Sequence, residues 1–405
     1  MSSPLLNREP AQWQQLGALH TAEEIAQQPR LWRQLAQALP VWQPALNDFL
    51  GDALRRPEQR VILTGAGSSA YIGELLAERL DAAWPAEVRA IATTSLLTHP
   101  ELYLQPERPT LLVSFARSGN SPESLAAVRL AQARLPRLSL LHISCNPTGE
   151  LLRSELGVPT HRLLMPAGSC DRGFAMTSSL SCMLLAALAL LSPEPDATRQ
   201  LQRLADAAEQ ALADWPLPLR ALARQPWQRL VMLGSGPLEA LAREAALKLL
   251  ELTRGRVLAL AHTPLAFRHG PKSMLDPASA VWVFRSAGAA ARRYEQDLLD
   301  ELKRDGVAGQ VLSLGGEGSA LPLAFDAGLP EAWAAPLWLL AAQLYALERS
   351  IALGYSPDNP FPDGTVNRVV QGVTIYPPPE AAQEAASPPG GQRQWPGEAG
   401  STALA

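Results

Sequence analysis

The chain has 405 residues, of which 47% are hydrophobic and only 6% aromatic, with a net charge of -4 at pH 7. That length exceeds one ordinary core and points to two or three compact units with substantial interiors. A nearly balanced, slightly acidic charge provides no broad basic field, which argues against nucleic acid or an anionic membrane as partner.

The N-terminal sequence MSSPLLNREPAQWQQLG has no basic segment followed by an apolar run, so no secretory signal is read and a cytoplasmic location is expected. Residues 1–42 carry Gln, Leu and Trp at helical spacing and read as a helical lead-in whose role is packing. From there RVILTG (60–65), the turn AGSS and AYIGELLAERL form a strand, a tight turn and a helix. PTLLVSF (109–115), ARSGNSPES and LAAVRLAQARL repeat that order, which implies a parallel sheet flanked by helices. LSLLHIS (138–144) and HRLLMPAG (161–168) read as further strands. The most apolar stretch, 182–191, is about half of a bilayer span and follows Ser178, Ser179 and Ser181, so it reads as a buried helix. Cys145, Cys170 and Cys182 show no CxxC or zinc-type spacing, and read as reduced, buried thiols; neither a metal nor an organic cofactor is expected.

Further along, LVMLGSGPLEALAREAALKLLEL (230–252) repeats VILTGAGSSAYIGELLAERL when Gly65 and Gly67 are laid on Gly234 and Gly236, an offset of 169 residues. AVWVFRSAG (280–288) echoes LLVSFARSG (111–119) faintly at the same offset. Two similar α/β domains are therefore expected, at 43–194 and 213–376, joined by helix around 195–225. Residues 377–405 are rich in Pro, Gly and Ala without an apolar period and read as a disordered tail.

The first unit's loops suggest an anion site. Ser118, Gly119, Asn120 and Ser121 stand immediately before a helix, where unpaired N–H groups and the helix dipole suit a phosphate. Gly119 allows close backbone approach and Arg117 offers a fixed positive charge. The same residues also read as a plain helix start, with Ser121 as cap and Pro122 at the first position. Ser68 and Ser69 in GAGSS would lie at the same carboxyl edge of the sheet, which favours a pocket. GAGSSA lacks the full dinucleotide fingerprint, and no phosphate-loop motif is present. In the second unit FRSAGAAARRYEQ replaces the later Ser and Asn donors by alanine, so one phosphate site per chain is expected.

The second unit carries ionisable groups instead. Glu244, Lys248 and Glu251 lie four and three residues apart on one helix face. That pattern fits either an ordinary solvated ion pair or an acid–base set in which an apolar setting raises a carboxyl pKa. FRHGPKS follows, and the near-neutral pKa of its His269 suits proton movement at a sugar ring, although a single histidine is more often structural.

Together GAGSSAY, SFARSGNSPES, GSGPLEALAREAALKLLEL and FRHGPKS resemble the double sugar-isomerase (SIS) domain proteins over about residues 15–376. The best match is the galactosamine-6-phosphate deaminase family, long labelled tagatose-6-phosphate ketose/aldose isomerase; the isomerase half of glucosamine-6-phosphate synthase is also similar. The resemblance implies two tandem SIS domains, each a flavodoxin-like three-layer α/β sandwich. It implies that Ser69, Ser118 and Ser121 bind a sugar phosphate, with Arg117 in place of a glutamine. It assigns Glu251 as the base between C1 and C2 and His269 as the ring opener, with Glu244 and Lys248 as charged neighbours. His269 would come from the neighbouring subunit of a homodimer.

Two departures stand out. The synthase's C-terminal lysine has no counterpart in 363–376, where Arg368 is the nearest cation and forms no Schiff base readily. There is no glutamine-hydrolysing domain, so ammonia release is the expected direction. The expected reaction is galactosamine 6-phosphate to tagatose 6-phosphate and ammonia, in amino-sugar catabolism. Alternatives are simple isomerisation of a keto-sugar phosphate, deamination of glucosamine 6-phosphate, and a sugar-phosphate-sensing regulator.

Overall fold

The structure, a computed structural model, describes residues 4–193, 196–316, 318–323 and 328–376; the 377–405 segment lies outside the described residues. Residues 4–373 belong to one compact unit, and 374–376 fall outside it without regular secondary structure. Helices α1 (Pro10–Gln15), α2 (Leu19–Ala26) and α3 (Gln28–Leu50) open the chain, and α3 runs through the expected boundary at residue 42. The first α/β set is β1 (Arg60–Thr64), α4 (Ser68–Ala83), β2 (Glu87–Ala90), α5 (Thr93–Thr98), α6 (Pro100–Tyr103), β3 (Thr110–Ala116), α7 (Pro122–Arg134), β4 (Leu138–Ser144), α8 (Glu150–Arg153), β5 (Thr160–Leu164) and α9 (Ser178–Leu191). Helices α10 (Ala197–Asp214) and α11 (Pro216–Ala223) lead to the second set. That set is β6 (Arg229–Leu233), α12 (Pro237–Leu252), β7 (Leu258–His262), α13 (Pro264–Phe267), β8 (Ser279–Phe284), α14 (Ala289–Asp305), β9 (Gln310–Leu314) and α15 (Glu331–Ala352).

The strand orders are β2-β1-β3-β4-β5 and β7-β6-β8-β9, with every pair parallel. Relabelled from its own first strand, the second sheet repeats the first four strands of the first sheet. Parallel sheets are covered on both faces, which is why β3 and β8 are buried at every position and read as apolar runs. One continuous core lies between the sheets, built from α3, α4, α9, α10, α12 and α15 with the inward side chains of both sheets. The opposite face of the first sheet packs a smaller core with α5 and α7, and that of the second with α14. All 14 residues of α9 are buried, as its composition predicts.

The inner helices α4 and α12 run antiparallel. Arg243 Nη1 pairs with Glu74 Oε2 at 2.8 Å, and the two residues are 169 apart, so each helix meets the copy of itself. Ser68, the first residue of α4, consequently meets Lys248 late in α12. Both strand-to-helix turns demand glycine: a Cβ on Gly65 would lie 2.5 Å from the Ser69 carbonyl carbon, and on Gly234 2.2 Å from the Leu238 oxygen. Gly67 and Gly236, the positions before each helix, both have φ +55°, which L side chains rarely adopt.

We expect Gly234→Ala to destabilise the chain by at least about 1–3 kcal/mol through overpacking. Gly288→Ala, with nothing near the added Cβ, should stay within roughly 0.5 kcal/mol. Urea denaturation of both variants against the parent checks the pair.

Candidate active site

At the carboxyl edge of the first sheet, the loops after β1 and β3 stand side by side because those strands pair directly. Ser121 occupies the position before α7, but its hydroxyl donates to Ser124 Oγ at 2.7 Å and caps no backbone group. The N–H groups of Gly119 and Ser121 have no hydrogen-bond partner among the described residues, so they remain open to an anion. Gly119 has φ +66°, and a Cβ there would press on Gly149 at 3.3 Å. Asn120 is turned to a structural use, its Oδ1 accepting from Glu150 N at 2.8 Å at the start of α8. Ser69 lies buried beside this loop, its Oγ 3.8 Å from Met176 Sδ.

Arg117 is 8% exposed, and its two terminal nitrogens donate to main-chain carbonyls, Phe174 O at 3.1 Å and Arg368 O at 2.6 Å. Burial lowers its pKa. Arg368 is exposed and donates in turn to Asp171 O. These two arginines therefore stitch the β3–α7 loop to the 166–177 loop and to the segment after α15.

The same edge receives α12 from the second unit. Lys248 Nζ is fully buried, 3.2 Å from Glu244 Oε1, 2.6 Å from Glu251 Oε2 and 2.9 Å from Ser68 Oγ. Burial alone would lower the Lys248 pKa, but Glu244 and Glu251 outweigh it and raise it. Burial pushes Glu244 up to about 7. The Glu251 side chain keeps a quarter of its surface exposed while Glu244 keeps none, so Glu251 is the carboxylate that a bound molecule can touch. Of the two sequence readings of this helix face, the solvated ion pair is ruled out by that burial.

His269 stands apart. Its turn is clamped to α14 by Arg268, which pairs with Glu301 at 2.7 Å and Asp297 at 2.8 Å, and by Lys272, which pairs with Asp305 at 2.5 Å. His269 is exposed at the tip; its main-chain N–H donates to Ala266 O at 3.0 Å, and its imidazole has no hydrogen-bond or ion-pair partner among the described residues. Within one chain Ser68, Glu244, Lys248 and Glu251 come together, and His269 makes no bond to them.

The sequence reading missed the 166–177 loop. Asp171 is buried and accepts from Thr177 N at 2.8 Å, Ser178 N at 3.0 Å and Ser179 N at 3.0 Å, capping α9. Glu24 of α2, also buried, accepts from Arg172 N at 2.5 Å and Gly173 N at 3.2 Å. Asp171 stands six residues before Thr177, outside the ordinary cap position, and Glu24 is far in sequence, so neither gave a signal. Asp358 ties the segment after α15 to the start of α2, accepting from Thr21 N at 2.7 Å and His20 N at 3.0 Å. Cys145 and Cys182 are buried as expected, whereas Cys170 is only half-buried.

Two copies of one parallel α/β unit, with a serine-lined helix start from the first facing a buried Glu–Lys–Glu set from the second, define a double SIS protein of the phosphosugar class. Solved structures bear this out. A Clostridium novyi NT protein described as a tagatose-6-phosphate ketose/aldose isomerase is 36% identical, with a TM-score of 0.87 over 93% of this chain and 100% of that one. The tagatose-6-phosphate ketose/aldose isomerase of Escherichia coli is 39% identical, with a TM-score of 0.80 over 88% of this chain and 97% of that one. No protein-family model matches. The D-galactosamine-6-phosphate deaminase AgaS of Shewanella sp. (strain ANA-3) is 44% identical over 381 residues, 93% of this chain and 96% of the relative. The chain belongs to the D-galactosamine-6-phosphate deaminase (AgaS) family.

Glu24 carries a pH dependence. Burial first, then nearby Asp171, raises its pKa from 4.5 to about 8. The folded chain thus keeps a proton that the unfolded chain has lost between those values, and Glu24's contribution is full below 4.5 and lost as pH rises through 8. We expect Glu24→Gln to flatten the fall in stability across that window, read by urea unfolding at a series of pH values.

Proposed function

We propose that the chain deaminates and isomerises galactosamine 6-phosphate to tagatose 6-phosphate and ammonia, in amino-sugar catabolism. The observation that carries this reading is the Ser68–Lys248–Glu251 chain of contacts at 2.9 and 2.6 Å, which sets a carboxylate beside an open anion loop. The names carried by the similar Shewanella and Escherichia coli proteins support the galacto substrate.

In this reading residues 43–194 hold the substrate and residues 213–376 act on it. The N–H groups of Gly119 and Ser121, with the hydroxyls of Ser69, Ser118 and Ser121, hold the phosphate. Ser68 orients Lys248, and Arg117 and Arg368 shape the rim. His269, supplied by the partner subunit of a homodimer, moves the ring proton and opens the pyranose. Glu251 removes the C2 proton and the C1 oxygen gains one, giving the enolamine; protonation at C1 then yields the 2-imine. Water adds to the imine carbon and ammonia departs, leaving the ketose phosphate. Lys248 fixes the Glu251 carboxylate, and Glu244 balances the buried ammonium. No step needs a metal or an organic cofactor. With a hydroxyl at C2 the same proton transfer gives aldose–ketose isomerisation, the activity named for the Escherichia coli structure. We further read the protein as cytoplasmic, which the three unpaired cysteines support and which agrees with the described helices, none long and apolar enough to cross a membrane.

Coupled ammonia release from galactosamine 6-phosphate and glucosamine 6-phosphate tests the assignment. We expect turnover of the galacto substrate and a fall in kcat on the order of 10²–10⁴-fold in Glu251→Gln. Ammonia from neither substrate would leave isomerisation in its place, and an unchanged Glu251→Gln rate would remove that residue from the proton transfer.

A further inference from the structure

The helix start of the second unit holds an anion of the protein's own. The loop from Arg285 to Gly288 precedes α14 as the 117–121 loop precedes α7 in the first unit. Glu295, two turns into α14, is fully buried and reaches back to that loop. It accepts Ser286 N at 3.1 and 3.3 Å, Ser286 Oγ at 2.7 Å and Arg285 Nε at 3.3 Å. It also accepts Ser235 Oγ at 3.0 Å, from the loop between β6 and α12. Beside it Glu331, at the start of α15, accepts Ala287 N at 2.6 Å. A main-chain N–H, two hydroxyls and a guanidinium converging from two neighbouring loops make the donor set that suits a phosphate. At the 169-residue offset the first unit has Ala126 where the second has Glu295, and its corresponding loop is open.

We propose that Glu295 is a resident anion, an internal substitute for a bound phosphate, which locks the loops around Ser235 and Ser286 together. Ser235 precedes Gly236, the residue before α12, so the lock fixes the start of the helix that carries Glu244, Lys248 and Glu251. Glu295 is thereby a positioning residue, and it accounts for the duplicated fold's keeping one open anion loop. A cavity of about 690 Å³ lined by Arg285, Ala287, Arg292, Glu331 and Trp338 adjoins the loop, so a small anion can reach the cradle once the carboxylate is gone. The likeness to bound phosphate rests on the reading of the first loop given above; the cradle itself rests on its own distances.

The test is anion rescue of Glu295→Ala, with sodium formate compared with sodium chloride at equal ionic strength. We expect a lowered thermal midpoint that formate raises and chloride does not, and no formate-specific change in the parent chain. For ammonia release we expect kcat to fall on the order of tenfold with KM little changed, as for a catalytic helix slightly misplaced, and to recover in formate. Equal midpoints in formate and chloride would overturn the proposal. Should Glu295→Ala not fold, Glu295→Gln serves: it fills the space without the charge, so it should be destabilised and deaf to formate, and stability equal to the parent would overturn the proposal. The midpoint is read without substrate, so it stands apart from the assignment of the reaction.

Discussion

An ammonium group taken out of water costs several kcal/mol unless partners surround it, and Lys248 has no exposed surface to relieve that cost. Two of its partners, Glu244 and Glu251, come from its own helix and the third, Ser68, from the other unit. The charge is therefore satisfied only when α4 and α12 pack with the start of one against the end of the other. Since Ser68 and Ser69 also begin α4, whose preceding turn lies beside the β3–α7 loop, the contact that buries the lysine fixes how far Glu251 stands from the open N–H groups. Packing, charge compensation and placement of the Glu251 carboxylate are one arrangement.

Duplication produced two such helix starts, and they met different ends. The first kept serines at Ser118 and Ser121 and an alanine at position 126, leaving the loop open. The second has alanine in place of those donors, but it carries Ser235 and Ser286 and directs them to a buried carboxylate. In exchange its inner helix carries Glu244, Lys248 and Glu251, where the first copy has Leu75, Arg79 and Ala82. In the proposed reading one copy offers a place for an anion and the other the groups that move protons, and neither is complete alone.

Much of this was legible in the sequence, for physical reasons. β1, β3 and β4 are buried on both faces, so they read as mainly apolar runs. The glycine turns read clearly because a Cβ there collides with backbone. The edge strands β2 and β7 are short and partly exposed and carried no such pattern. Asp171 and Glu24 went unread because their partners are set by the fold and not by spacing. Glu295 was hidden in the charged helix ARRYEQDLLDELKRD, where only the back-fold onto Ser286 distinguishes it from its solvated neighbours. Arg117 was legible as a charge beside the anion loop, while its bonds to the Phe174 and Arg368 carbonyls depend on two remote segments.

The proposed site divides its work, with phosphate held on the first unit and proton transfer made from the second. The most direct measurement is a structure with the open-chain amino alcohol 6-phosphate corresponding to galactosamine 6-phosphate. We expect phosphorus against the Gly119 and Ser121 N–H groups and C2 within about 3–3.5 Å of a Glu251 oxygen, near enough to react. Phosphate bound elsewhere, or C2 out of reach of Glu251, would contradict it.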